Sequence, residues 1–223
     1  MATEKVRGSA DASAVEKTLQ YLRDQIFQGS LAPAEHVRQE QVAEELGISR
    51  VPVREALKVL AAEGLVVHRA NQGYFVVRMG ANEMTQVYLM RRLLEDELLR
   101  SIKFPDEKML TRLEKLNARM KRLAASGRIE DIVVANREFH LLIYSLSGMD
   151  LLLAEVRRLW SLSDMYRALY LYDEDARERV LDEHEQLIEA LRHQDVDECI
   201  RVMDAHRNGS EKLVTSVLGR PGR

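Results

Sequence analysis

Apolar residues recur at intervals of three and four through most of the chain, the signature of amphipathic helices. Val15, Leu19, Leu22 and Ile26 share one face, so a first helix is expected over 14–28, stopped by Gly29 and Ser30. Pro33 sits in the connection that follows. A short helix over 39–46 turns Val42 and Leu46 inward. Gly47 then offers a tight turn, because glycine takes positive φ at little cost. Ser49 is placed to cap a third helix that runs to about Glu63. Pro52 falls within its first turn, and Val53, Ala56, Leu57 and Leu60 form its apolar face. Gly64 ends it.

The texture then changes. Residues 65–69 and 74–77 are short β-prone runs, and 70–73 form a loop of hairpin size between them. Three helices, a glycine turn between the second and third, and a hairpin describe a winged helix-turn-helix. Residues 79–83 read as a linker. After it the helical period returns, with helices expected near 84–101, 106–126, 129–147, 150–171, 175–193 and 196–218. The fold class is therefore mainly α: an N-terminal winged helix-turn-helix over 14–78 and a C-terminal all-α helical bundle over 84–218. Residues 1–13 read as a disordered lead-in and 219–223 as a tail.

A length of 223 residues suits two domains. The net charge of −3 excludes a uniformly basic nucleic-acid binder, so any DNA contact must come from a local cationic patch. The single cysteine, Cys199, cannot form an internal disulfide, and a reducing cytoplasm is expected. It is read as a small helix residue and not as a nucleophile. No apolar run approaches the roughly 20 residues of a membrane span. The polar start of the chain lacks the apolar core of a signal peptide.

Arg50, Arg54 and Lys58 recur four apart and share one face of the third helix, opposite its apolar face. A basic ridge on a helix of this size can enter the major groove, where arginine donates to guanine edges or to phosphate. Three cations on a helix are more often an ordinary solvated face. The flanking turn, short helix and hairpin favour DNA. The run Gln41 to Leu57, with Gly47-Ile48-Ser49-Arg50-Val51-Pro52-Val53-Arg54 at its centre, resembles the GntR family of regulators, as do Glu63-Gly64-Leu65-Val66 and Asn71-Gln72-Gly73. Two departures stand out: Pro33-Ala34 replaces the family's Pro-Gly, and Glu40 stands where some relatives carry arginine. The resemblance implies that Ser49, Arg50, Val51, Pro52 and Arg54 approach DNA from the recognition helix, and that Gln72 and Gly73 reach the minor groove from the wing. It also implies a homodimer on a near-palindromic double-stranded operator.

Four of the six histidines lie in the helical half: His140, His184, His193 and His206. Asn136 and His140 are one helical turn apart. Scattered over three helices, such histidines are ordinarily satisfied polar residues, and spacing alone does not make them ligands. The helical half, however, resembles the FCD-type effector domain of the FadR subgroup, on Asn136-Arg137-Glu138-Phe139-His140, His184 with Leu187-Ile188, and His206. That resemblance implies a divalent transition metal, zinc or nickel, held by Asn136, His140, His184 and His206, with His193 outside the set. Coordination positions left open on such an ion could take the carboxylate of a small organic acid, the expected effector. Arg91, in Tyr88-Leu89-Met90-Arg91-Arg92-Leu93-Leu94-Glu95, either clamps its carboxylate or is a surface arginine paired with Glu95.

The expected function is a transcriptional regulator, a repressor whose operator affinity a metal-bound carboxylate modulates. Two other classes compete. A metal enzyme would need catalytic motifs, and the chain has no nucleophile elbow, phosphate-cradling glycine loop or zincin spacing. A metal-free bundle could serve only dimerisation, through apolar positions such as Leu151, Leu152, Leu159 and Trp160, which are equally suited to a core.

Overall fold

A computed structural model describes residues 2–27, 29–171 and 173–219, without the side chains of 2–12, 165 and 168–170. The chain divides into two compact units, Met1–Met79 and Gly80–Arg223.

In the first unit the elements are α1 (Ala2–Phe27), β1 (His36–Val37), α2 (Gln39–Leu46), α3 (Arg50–Ala62), β2 (Val66–Arg69) and β3 (Gly73–Val76). Helix α1 packs on α3, and Leu19, Leu22 and Ile26 are buried together with Val53, Ala56, Leu57 and Leu60. The helix begins at Ala2 and not at Ala14, so the lead-in expected over 1–13 is replaced by helix from Ala2 onward. Ala2, Glu4, Lys5, Arg7, Ala10 and Ala12 are good helix formers with no proline among them. Gly47 caps α2 in the left-handed conformation (φ 64°), and its N–H returns to the carbonyls of Ala43 and Glu44.

Strand β1 was not expected from the sequence, because two residues carry no period. It joins the antiparallel hairpin on its β3 side, giving the order β1-β3-β2 with His36 opposite Phe75 and Val67 opposite Phe75 on the other flank. The connecting turn spans 70–72, with Asn71 at φ 60°. Gly73 has φ +95°, and a Cβ there would lie 2.8 Å from His36 Nε2. A glycine is thus favoured there by its own positive φ and by the His36 ring packed against it. Gly73→Ala is expected to cost about 1–3 kcal/mol, seen as a lower urea midpoint of the intact protein. An unchanged midpoint would mean that the strand relaxes freely.

The second unit contains α4 (Ala81–Arg100), α5 (Glu107–Ala125), α6 (Ile129–Tyr144), a 3-10 turn (Ser145–Ser147), α7 (Asp150–Leu171), α8 (Glu174–Arg192) and α9 (Val196–Leu218). Side chains of Asp106, Asp173 and Asp195 cap α5, α8 and α9 by accepting from Met109, Ala176 and Glu198 N–H at 2.8–2.9 Å. Helix α4 packs on α9 and α7, α5 on α6 and α8, and α8 on α9, which encloses one core. Helix α4 starts within the stretch expected as linker, since Gly80 N–H donates to the Glu83 carboxylate and begins the helix early. Of the four apolar positions that could have served association, Leu159 and Trp160 are buried in the core, Leu152 is half-buried, and Leu151 is exposed. The expected tail lies outside the described residues beyond Gly219. Among the described residues no helix is long and apolar enough to cross a membrane.

Candidate DNA-reading surface and buried histidine centre

Helix α3 opens at Arg50 behind the N-cap Ser49, whose side chain makes no capping bond. Ser49, Arg50, Val51, Arg54 and Lys58 are exposed, so the helix presents a hydroxyl and three cations along one face. Arg50 Nη1 donates to Glu40 Oε1 at 2.5 Å, and Lys58 Nζ to Glu55 Oε1 at 2.9 Å. Pro52 departs from the expected set: it is buried with Val53 and Ala56. The helical period turns positions 52 and 53 inward together, so Pro52 shapes the first turn and does not offer itself to a ligand. On the wing, Gln72 is exposed and Gly73 half-buried.

In the second unit, α6, α8 and α9 each deliver one histidine to the core. One ring nitrogen from each of His140, His184 and His206 lies within 4.8 Å of the others, and all three residues are buried. His184 Nδ1 meets Asn117 Oδ1 at 3.2 Å, and the Asn117 amide is itself fixed by donating to Leu181 O. An amide oxygen only accepts, so His184 carries its proton on Nδ1 and offers a lone pair on Nε2. His206 Nδ1 likewise faces Glu183 Oε2 at 2.8 Å, which turns a free Nε2 lone pair toward the cluster. His140 and His184 approach Nε2 to Nε2 at 3.0 Å. Both amide atoms of Asn136, His140 Nδ1 and His206 Nε2 are buried without a hydrogen-bond partner. A buried polar group left so costs free energy, and an orphaned set of this kind asks for a ligand. The structure therefore brings His140, His184 and His206 together, with Asn136 one turn before His140. His193 stands apart and exposed, as expected.

Burial pushes all three imidazoles well below the ordinary value of 6.5. For His140 and His184 the neighbouring histidines add to this, and the Arg167 charge lowers all three. Arg91 acts on His140 and His206, and Arg179 on His206. The histidines are thus neutral at physiological pH, the state that can donate a lone pair to a metal. A pH dependence follows for chelator-treated protein. Below 6.5 the unfolded chain takes up protons on these side chains and the folded chain does not. Stability should therefore fall as pH drops from about 6.5, by up to about 1.4 kcal/mol per pH unit for each histidine. Urea melts at descending pH measure this, and midpoints that hold constant would contradict it.

Arg91 is buried, not at the surface. Its Nε donates to Glu95 Oε1 at 2.8 Å, its Nη1 to Ser163 Oγ at 3.0 Å, and its guanidinium lies 4.2 Å over the Trp160 ring. The expected pairing with Glu95 is present, in the core. Glu95 also accepts from Trp160 Nε1 at 2.7 Å, Tyr144 OH at 2.9 Å and Arg207 Nη1 at 3.2 Å. Burial opposes its ionisation, but Arg91 and Arg207 outweigh that and hold it below the usual carboxylate range. Sequence reasoning missed Glu183 and Asn117 as supports of the histidines. The signal for Asn117 was there: a polar side chain on the apolar stripe of Leu110, Leu113 and Met120.

Comparison with known proteins agrees with both halves. The model of the gntR family of bacterial regulatory proteins matches residues 14–76, and the FCD domain model matches residues 86–209. The HTH-type transcriptional regulator YdhC of Bacillus subtilis is 28% identical over 201 residues, covering 88% of this chain and 89% of its own. HTH-type transcriptional regulator McbR of Escherichia coli K12 is 28% identical over 204 residues, covering 86% and 90%. The solved structure of E. coli McbR/YncC superposes with a TM-score of 0.78 at 22% identity over 92% of this chain and 98% of that one, a likeness of fold. The exposed cationic helix, the wing and the helical bundle thus have one common reading: the chain belongs to the GntR family, as a DNA-binding transcriptional regulator with an FCD domain and not an enzyme.

Proposed function

We propose that this regulator is a cytoplasmic homodimeric repressor, released from a near-palindromic operator when a small carboxylate binds beside a divalent transition metal. The observation that carries the reading is the cluster of three buried, neutral imidazoles beside the unpartnered Asn136 amide. Nitrogen donors of this kind suit zinc or nickel, and a neutral amide oxygen adds a weaker ligand than a carboxylate would. His140, His184, His206 and Asn136 would hold the ion, which when bound supplies a Lewis-acidic anchor for an anionic oxygen. Glu183 and Asn117 fix the ring orientations.

The effector's charge follows from the surroundings. Arg91 and Arg167 both raise the positive potential at the histidines, which favours an anion. With Nε and Nη1 engaged by Glu95 and Ser163, Arg91 acts on that anion chiefly through its charge.

A route to the DNA-binding unit follows from connectivity. His206 adjoins Arg207, whose guanidinium bonds Glu95 and Asp96 of α4. Helix α4 begins two residues after Met79, where the first unit ends. A shift of α9 on effector binding is thereby passed to α4. A useful switch needs a coupling of about 1–3 kcal/mol. The test selects an operator from a random duplex library, then titrates metal-loaded protein against it with mono-, di- and tricarboxylates present. One acid class should weaken binding about 5–150-fold. Operator affinity indifferent to every acid would overturn the effector reading and leave the DNA-binding assignment untouched.

A further inference from the structure

The DNA-reading face contains a carboxylate that the family resemblance does not explain. Glu40, in the first turn of α2, accepts from Arg50, the first residue of the recognition helix, at 2.5 Å. Both side chains are largely exposed, at 81% and 67%. They face a cleft of about 690 Å³ between the starts of α2 and α3, lined also by His36, Arg38, Gln41 and Arg54.

An ion pair this exposed contributes little to stability, of order 0–1 kcal/mol. It therefore has no folding reason to sit where a polyanion is to bind. A carboxylate there repels phosphate, and a hydrogen bond offsets that cost only where a base-edge donor faces it, so the wrong base is penalised more than the right one. It also restricts the Arg50 fork before DNA arrives, so less freedom is lost when the guanidinium meets a base edge. The two groups together offer a donor fork and an acceptor side by side. Guanine presents two acceptors in the major groove, and its cytosine partner presents an amino donor.

We propose that Glu40 is a specificity-determining residue, which orients Arg50 onto guanine and accepts from a cytosine amino group in the same base-pair step. Arg50 without this partner is a general cation that takes phosphate as readily as a base. The proposal is independent of the metal and effector reading, since it concerns only the first unit.

The test selects preferred sites from a random duplex library with wild type, Glu40→Gln, Glu40→Ala and Arg50→Ala, all full-length. Affinities for the wild-type site and for a scrambled duplex are then measured across a salt series. Glu40→Ala and Arg50→Ala should relax preference at the same G·C position of the selected site, by about tenfold, and leave the other positions intact. Glu40→Ala should also bind the scrambled duplex more tightly than wild type. Glu40→Gln keeps an acceptor without the charge, so it should retain part of the preference while losing the repulsion. The proposal is overturned if Glu40→Ala selects the wild-type sequence, if it tightens all DNA equally with no position relaxed, or if Glu40 and Arg50 variants relax different positions.

Discussion

Arg207→Ala is expected to destabilise the second unit by about 3–5 kcal/mol, the cost of breaking a buried ion pair from one side. Arg207 is 2% exposed, and its guanidinium donates to Glu95 and Asp96 on α4. Removing it leaves Glu95, which is fully buried, with one counter-charge in place of two. Burial alone would push the Glu95 carboxyl up, and Arg91 with the Tyr144 hydrogen bond must then oppose that. Chemical denaturation followed by helix signal measures the loss. A drop below about 1 kcal/mol would show that Arg91, Trp160 and Tyr144 suffice to hold the carboxylate. The conservative variant Arg207→Lys should recover only part of the loss, because an ammonium lacks the fork that reaches two carboxylates. If α9 passes the effector signal to α4 through this contact, Arg207→Lys should also blunt the response of operator affinity to the acid while metal content stays normal.

The double variant Arg50→Ala/Arg54→Ala should lose about 2–6 kcal/mol of operator binding per half-site, taking about 1–3 kcal/mol for each base-reading arginine. Both side chains are exposed and lie opposite the buried face of α3, so the fold should be unaffected. Gel-shift or anisotropy titration on the selected operator checks this at fixed salt. A double variant that binds its operator as wild type does would mean that the base contacts come from another element. A variant that loses affinity equally on operator and scrambled duplex would mean that the two arginines serve phosphate only.

Much of the fold could be read from periodicity and caps. Helices α2, α7 and α9 begin and end where the apolar period and the flanking Gly47, Gly148 and Gln194-Asp195 say they should. Strand β1 could not be read, because His36-Val37 becomes a strand only through its pairing with β3. At Pro52 the helical period was the better guide: it sets 52 and 53 on the buried side, whereas the contiguous Ser-Arg-Val-Pro-Val-Arg motif suggests a continuous contact surface. The histidines were found through resemblance and not spacing, since α6, α8 and α9 meet only in the folded bundle. For the same reason Glu183 and Asn117 went unseen. Which acid or amide lies behind a ring nitrogen depends on how the helices pack. For Arg91 the sequence leaves two readings open, a clamp on a carboxylate or a surface pair with Glu95, because it does not reveal that Glu95 is a buried acceptor for four neighbours.

The central claim of the proposal is that the second unit holds a metal. The direct measurement is elemental analysis of untagged protein, wild type beside His140→Ala, with folding of the variant checked by circular dichroism. Wild type should carry about one transition-metal ion per chain, and a folded His140→Ala should lose it. Wild type that stays metal-free after supply of zinc, nickel and manganese would contradict the claim, and the histidine cluster would then have to be explained without an ion.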